Sequence, residues 1–237
     1  MIYITGDTHG DMRRFSTDCF PESHYMTKND YVVILGDFGL IWSQKETKEE
    51  RYWLNWLDSK PFTTLFVDGN HENFNRLNKF PMSDMFGSRV GKISNSIFHL
   101  FRGEVYNIDN QKIFTFGGGL SVDKMYRVPE ISWWKEEYPS QDEMDNALHN
   151  LEQNSWEVDY IFTHTGPKSV FELLMVNPNF KSIIPPQNQY KFNDAVSEFL
   201  DHIYTNIKFK RWYCGHYHIN LNVCHDFTIL YEKIIKL

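Results

Sequence analysis

The chain has 237 residues, 41% of them hydrophobic, and a formal charge of −7. That length can bury one substantial core, while the acidic balance argues against a long non-specific grip on nucleic acid and leaves room only for a local basic groove. No run nears the roughly 18 apolar residues of a membrane span, and the opening segment has no basic stretch leading into an apolar one. Three cysteines (Cys19, Cys214, Cys224) lack metal-clip spacing, so a single cytoplasmic domain over residues 1–237 without a disulfide framework is expected.

Short apolar, β-rich runs cover Met1 to Thr5, Tyr31 to Leu35 and Thr63 to Val67, the pattern of strands buried on both faces. Between the latter two, Glu46 to Ser59 carries Trp53, Trp56 and Leu57 at helical spacing, and the opening reads β-α-β-α-β. Val105 to Ile108 and Ile113 to Phe116 suggest a hairpin. Met144, Ala147, Leu148 and Leu151, and again Val196, Phe199, Leu200 and Ile203, repeat at i, i+3, i+4, i+7 and predict two amphipathic helices. Strands are expected at Val158 to Thr163 and Phe209 to Tyr213. Ile219 to Val223 and Phe227 to Ile235 read as a closing hairpin or edge. The pattern fits an α/β domain with sheets at the centre and helices outside, whose ligands gather beyond the carboxyl ends of the strands.

Polar, Gly-containing segments follow those strands: Gly6-Asp7-Thr8-His9-Gly10, Gly36-Asp37, Gly69-Asn70-His71-Glu72, Thr163-His164 and Gly215-His216-Tyr217-His218. Singly, Asp7, Asp37 or Asn70 could cap a turn or helix. Taken together, Asp7, His9, Asp37, Asn70, His164, His216 and His218 form a hard-to-borderline donor set suited to Mn, Fe or Zn. Seven donors exceed the needs of one ion and suit two ions sharing a carboxylate, roughly 3.5–4 Å apart. The other histidines (His24, His99, His149, His202, His225) read as ordinary surface or core residues.

Asp-x-His, Gly-Asp, Gly-Asn-His-Glu, a lone His and Gly-His-x-His, in this order from Asp7 to His218, resemble the signature of the calcineurin-like metallophosphoesterases. The resemblance implies a four-layer α/β/β/α fold in which a central sandwich of mixed sheets is flanked by helices. It also implies that Asp7, His9, Asp37 and His218 hold one ion and Asp37, Asn70, His164 and His216 the other, with a hydroxide between them attacking a phosphate ester. His71 would stabilise the transition state or protonate the leaving oxygen, oriented by Asp7; the bland reading of His71 is a structural hydrogen bond. Mn is the metal expected to support activity in vitro.

The phosphoprotein phosphatases of that superfamily carry Asp-Arg-Gly at the second motif, whereas Asp37 is followed by Phe38-Gly39. The chain therefore looks more like the small bacterial or phage phosphoesterases, acting on a phosphodiester or nucleotide. Phosphomonoesterase or protein phosphatase, a nuclease at DNA or RNA ends, and a non-catalytic scaffold are the alternatives. The segment 117–140, with Lys124, Arg127, Trp133 and Trp134, is a candidate substrate loop in which Lys124 and Arg127 bind phosphate and a tryptophan stacks on a base. Its competing reading is structural: Asp123 pairs with a basic residue to pin the loop, and the tryptophans fill a core edge. Trp42, Trp133 and Trp134 are expected to be exposed.

Overall fold

The opening strands β1 (Ile2–Thr5), β2 (Tyr31–Leu35) and β3 (Thr63–Val67) are buried almost throughout, as an unbroken apolar run requires of strands covered on both faces. They pair in parallel, with Ile4 opposite Val33 and Val33 opposite Leu65. The protein is described by a computed structural model over residues 1–176 and 194–237.

After the helix α1 (Lys48–Asp58), capped by the Thr47 side chain on the Glu50 N–H, and the short α2 (Phe74–Leu77), the chain adds β4 (Met82–Met85), β5 (Ser88–Lys92) and β6 (Ile97–Leu100) to the first sheet. The second sheet is built from β7 (Val105–Ile108), β8 (Gln111–Phe116), β9 (Tyr160–Thr163), β10 (Arg211–Cys214), β11 (Leu221–Cys224) and β12 (Phe227–Ile229), and β13 (Ile235–Lys236) returns to the first sheet. The orders are β13-β1-β2-β3-β6-β5-β4 and β11-β12-β10-β9-β8-β7.

One core lies between the sheets, where Ile4, Val33, Leu65 and Val67 meet Ile113, Phe162 and Tyr213. Outside the first sheet, Val32, Ile34 and Phe66 pack with Leu57 of α1. Outside the second, Phe116, Ile161 and Trp212 pack with α3 (Gln141–Gln153), α4 (Lys168–Val176) and α5 (Ala195–Asn206). This is the expected four-layer α/β/β/α arrangement.

Three details depart from the sequence reading. The crossover from β1 to β2 contains two 3-10 turns, Met12–Phe15 and Pro21–Tyr25, where the β-α-β-α-β pattern implied a helix. Pro21 and the polar run Ser16-Thr17-Asp18 interrupt any helical period. The hairpin loop between β7 and β8 is the pair Asp109-Asn110, both at positive φ, so β8 starts earlier than expected. The last residues do not all stay in one hairpin: β11 and β12 pair antiparallel, and β13 crosses to lie against β1.

Candidate active site

The carboxyl ends of β1, β2 and β3 in one sheet and of β9 and β10 in the other open toward a common point, and the segments after them carry Asp7, His9, Asp37, Asn70, His164, His216 and His218. Their backbones are unusual: His9, Asp37, His216 and His218 have φ of 46°, 44°, 67° and 52°, a left-handed conformation that costs a non-glycine residue of order 1–3 kcal/mol. Close approach also dictates Gly36, at φ 93°, where a Cβ would overlap the His164 ring.

The structure gathers these donors into two adjoining sets. Ligand atoms of Asp7, His9, Asp37 and His218 all lie within 4.8 Å of one another; His9 Nε2 is 2.9 Å from His218 Nε2 and 3.6 Å from Asp37 Oδ2, and His218 Nε2 is 3.0 Å from Asp7 Oδ2. In the second set His164 Nε2 is 3.0 Å from Asn70 Oδ1, 3.0 Å from His216 Nδ1 and 3.4 Å from Asp37 Oδ1. Asp37 thus turns one oxygen to each set.

The residues fit divalent ions by their own chemistry. His164 Nδ1 sits 3.1 Å from the Leu35 carbonyl oxygen, which can only accept, so in the neutral ring the proton is on Nδ1 and a lone pair on Nε2 faces Asn70 Oδ1. Two acceptors at that separation repel unless a cation lies between or beside them. Asp7 and Asp37 are buried, and among the described residues their carboxylates meet the backbone N–H groups of His216 and His71 and the imidazoles of His218 and His164 rather than a Lys or Arg side chain. Burial alone would raise both pKa values, and the neighbouring imidazoles outweigh it and hold them below the ordinary carboxylate range.

His71 stands beside the sets with its ring 5.0 Å from that of His9. Arg127 Nη2 donates to its Nε2 at 3.0 Å and the Trp42 ring stacks on it at 5.7 Å. Burial, followed by the Arg127 charge and opposed by Asp37, pulls its pKa down to about 4, so the ring is neutral at physiological pH and accepts from Arg127. Asp7 does not orient it: the Asp7 oxygens are engaged by the His216 N–H and by His218. A cleft of about 360 Å³ lined by His9, Gly39, Trp42, His71, Arg127 and Ser132 opens here.

The 117–140 segment divides between its two readings. Arg127 reaches the site while its Nε pairs with Asp123 at 2.7 Å, the pinning contact of the structural alternative. Lys124 is placed elsewhere, its Nζ 4.0 Å above the Trp133 ring. Trp134 is buried in the core beside α1, contrary to its expected exposure, because its indole fills the space against Trp42. Trp42 and Trp133 are half-buried.

A layer lies behind the donors, and apart from Glu72, which stands in the Gly-Asn-His-Glu motif, its residues carried no sequence signal. Asp68 accepts from Arg102 Nε at 2.9 Å and from His99 Nε2 at 3.0 Å, all three buried; burial opposes its ionisation, but Arg102 and His99 prevail and lower its pKa. Glu72 Oε1 accepts from the Phe38 N–H at 2.7 Å, and burial with nearby Asp37 pushes its pKa well up. Arg14 Nη2 donates at 2.7 Å to the Asp7 backbone carbonyl, and Arg14 also lies by Tyr231, whose ring stacks on His218.

An α/β sandwich with oxygen and imidazole donors gathered at its strand ends has the architecture of a metal-dependent hydrolase. The family model for calcineurin-like phosphoesterases matches residues 1–220, and the chain belongs to that family of metal-dependent phosphoric ester hydrolases. It is 22% identical over 244 residues to lariat debranching enzyme A of Xenopus laevis and 22% identical over 245 residues to the lariat debranching enzyme of Drosophila pseudoobscura pseudoobscura. Each match covers 92% of this chain and 42% of the relative, so the chain spans less than half the length of these curated relatives. Among the described residues no helix is long and apolar enough to cross a membrane.

Proposed function

We propose that this chain hydrolyses a phosphodiester, in a nucleotide or at a nucleic-acid end, with two divalent ions held by Asp7, His9, Asp37 and His218 and by Asp37, Asn70, His164 and His216. The observation that carries this reading is the division of the Asp37 oxygens between the two donor sets. When bound, two such ions lower the pKa of a coordinated water toward neutrality and neutralise charge building on the phosphoryl oxygens. Mn suits the mixed oxygen and imidazole donors, with Fe or Zn as alternatives.

The chain's own residues shape the rest. Arg127, fixed by Asp123, by the Ser132 carbonyl at 3.1 Å and by His71, presents a guanidinium at the cleft for a phosphoryl oxygen. His71, neutral and stacked under Trp42, lines the same cleft, and its contact with Arg127 favours orientation and electrostatic support of the transition state over a standing proton supply. Kinship to enzymes named for debranching lariats favours a phosphodiester as the substrate class. Free cysteines at Cys19, Cys214 and Cys224 suit a cytoplasmic setting.

The test is hydrolysis of bis(4-nitrophenyl) phosphate beside 4-nitrophenyl phosphate by metal-stripped protein with Mn added back, wild type against Asp37→Ala and His71→Ala. Diester turnover that depends on Mn and vanishes in Asp37→Ala supports the proposal. Turnover of the monoester alone returns the enzyme to the phosphatases, and full activity in Asp37→Ala removes the shared-carboxylate mechanism.

A further inference from the structure

Asparagine is an ambiguous metal ligand, because its amide can turn either an oxygen or an NH₂ group to the same point at almost no steric cost. Only the oxygen can ligate a cation. Something must therefore choose the face of Asn70 that meets His164 and His216.

The choice is made on the other side of the amide. Asn70 Nδ2 lies 3.0 Å from Ser121 Oγ, and Ser121 Oγ lies 2.6 Å from Glu137 Oε2. Glu137 also receives the Ser121 N–H on Oε1 at 3.3 Å. Asn70, Ser121 and Glu137 are all buried, so water does not substitute for these partners. A hydroxyl has one hydrogen, and that of Ser121 is committed to the Glu137 carboxylate. Only its lone pairs remain for Asn70, which must answer with the NH₂ group. The carbonyl oxygen is then forced toward the second donor set, 3.0 Å from His164 Nε2.

We infer that Glu137 is a positioning residue which, through Ser121, holds the Asn70 amide with its oxygen toward the second ion and so sets how firmly that ion is bound. This rests on the two-ion reading above. It also ties the 117–140 segment to the metal centre, since the Glu137 carbonyl takes the Gly119 N–H at 3.1 Å and the Asp68 carbonyl takes that of Gly118 at 3.1 Å.

The test is equilibrium Mn binding to the metal-stripped 237-residue chain by calorimetry, with the melting temperature of each metal-free variant recorded in parallel. Glu137→Leu frees the Ser121 hydrogen to donate to Asn70, and Ser121→Ala removes the lock; each is expected to weaken the second ion about tenfold or more, as loss of a partner behind a ligand does, while the first ion is retained. The decisive arm is Asn70→Asp, whose two oxygens make orientation irrelevant. In that background Glu137→Leu is expected to leave the second ion within about threefold, because interacting sites lose their coupling once the shared feature is removed. An equal loss in both backgrounds would overturn the inference in favour of a general packing role for Glu137, and unchanged binding in both single variants would overturn it outright. Wild type that binds one ion would sink the two-ion reading itself, an outcome separate from wild type that binds two and variants that do the same.

Discussion

Replacing Arg127 with alanine separates the catalytic use of the 117–140 segment from its structural use. Its guanidinium makes three contacts, to Asp123 at 2.7 Å, to the Ser132 carbonyl at 3.1 Å and to His71 Nε2 at 3.0 Å. The Asp123 pair is half in solvent, with Asp123 50% exposed, and such pairs contribute about 1 kcal/mol or less to stability. A hydrogen bond from a charged donor to substrate or to His71 is worth about 1.5–3 kcal/mol in a desolvated site, which is about 10- to 150-fold in rate. Arg127→Ala is thus expected to lower kcat/KM on a chromogenic diester by about that factor, with the melting temperature almost unchanged and Mn stoichiometry intact. Arg127→Lys, which keeps the charge and loses the fork, should fall between. Because Arg127 and His71 touch, Arg127→Ala added to His71→Ala should cost less than the sum of the two. A kcat/KM within about threefold of wild type at full metal loading, against the expected loss, would remove Arg127 from the mechanism.

Three further changes probe the frame. Gly36→Ala forces a side chain onto the His164 ring at φ 93°, and a cost of about 2–3 kcal/mol should lower the melting temperature by about 5–10 °C; an unshifted melt would contradict the close approach. Arg102→Met leaves Asp68 charged and buried without its main partner, so urea unfolding should register a loss of about 3–5 kcal/mol, and a loss under about 1 kcal/mol would refute the role of the pair. Asp58 accepts from Ser94 Oγ, Ser96 N and Ser96 Oγ, each at 2.7 Å; burial opposes its charge, those hydrogen bonds prevail, and its pKa lies below the ordinary 3.8. Its contribution is then fully present above that unfolded value and is lost as pH falls through the lower folded one. Asp58→Asn should be less stable than wild type at neutral pH, with a gap that closes in acid; a gap constant down to about pH 3 would show that Asp58 is not its source.

Strands β1, β2 and β3 were legible because burial on both faces leaves an unbroken apolar run, and α3 and α5 because one buried stripe recurs each turn. Strands β4 to β6 were not. Met82 to Met85 alternates between exposed and half-buried positions at the sheet edge and includes Ser83 and Asp84, so it carries neither an apolar run nor turn punctuation until Phe86 and Gly87, both at positive φ, close its hairpin. The donors were legible for a different reason: they stand on strand-end turns, in an order that a single chain can bring to one point. Glu137 was invisible because Lys135-Glu136-Glu137 has the composition of a solvated face, and only the burial of Trp134 beside it turns one acid of that run inward.

Four carboxylates that look alike in sequence show where the limit lies. Asp68 and Glu50 are buried and each is met by an arginine, Arg102 and Arg76, so their charge is compensated within the fold. Asp7 and Asp37 are as deeply buried, and among the described residues their carboxylate oxygens face imidazoles and two backbone N–H groups rather than a Lys or Arg side chain. Leaving two buried carboxylates without a Lys or Arg paired directly to their oxygens is costly unless compensating charge arrives from outside. Nothing in the local sequence of Asp68-Gly69 or Gly36-Asp37 distinguishes the two kinds; the arginine that settles the matter for Asp68 comes from a residue 34 positions away. The same comparison explains why a functional acid is recognised by what the fold withholds from it, and why adding a lysine near Asp37 should abolish Mn binding while raising the stability of the metal-free chain.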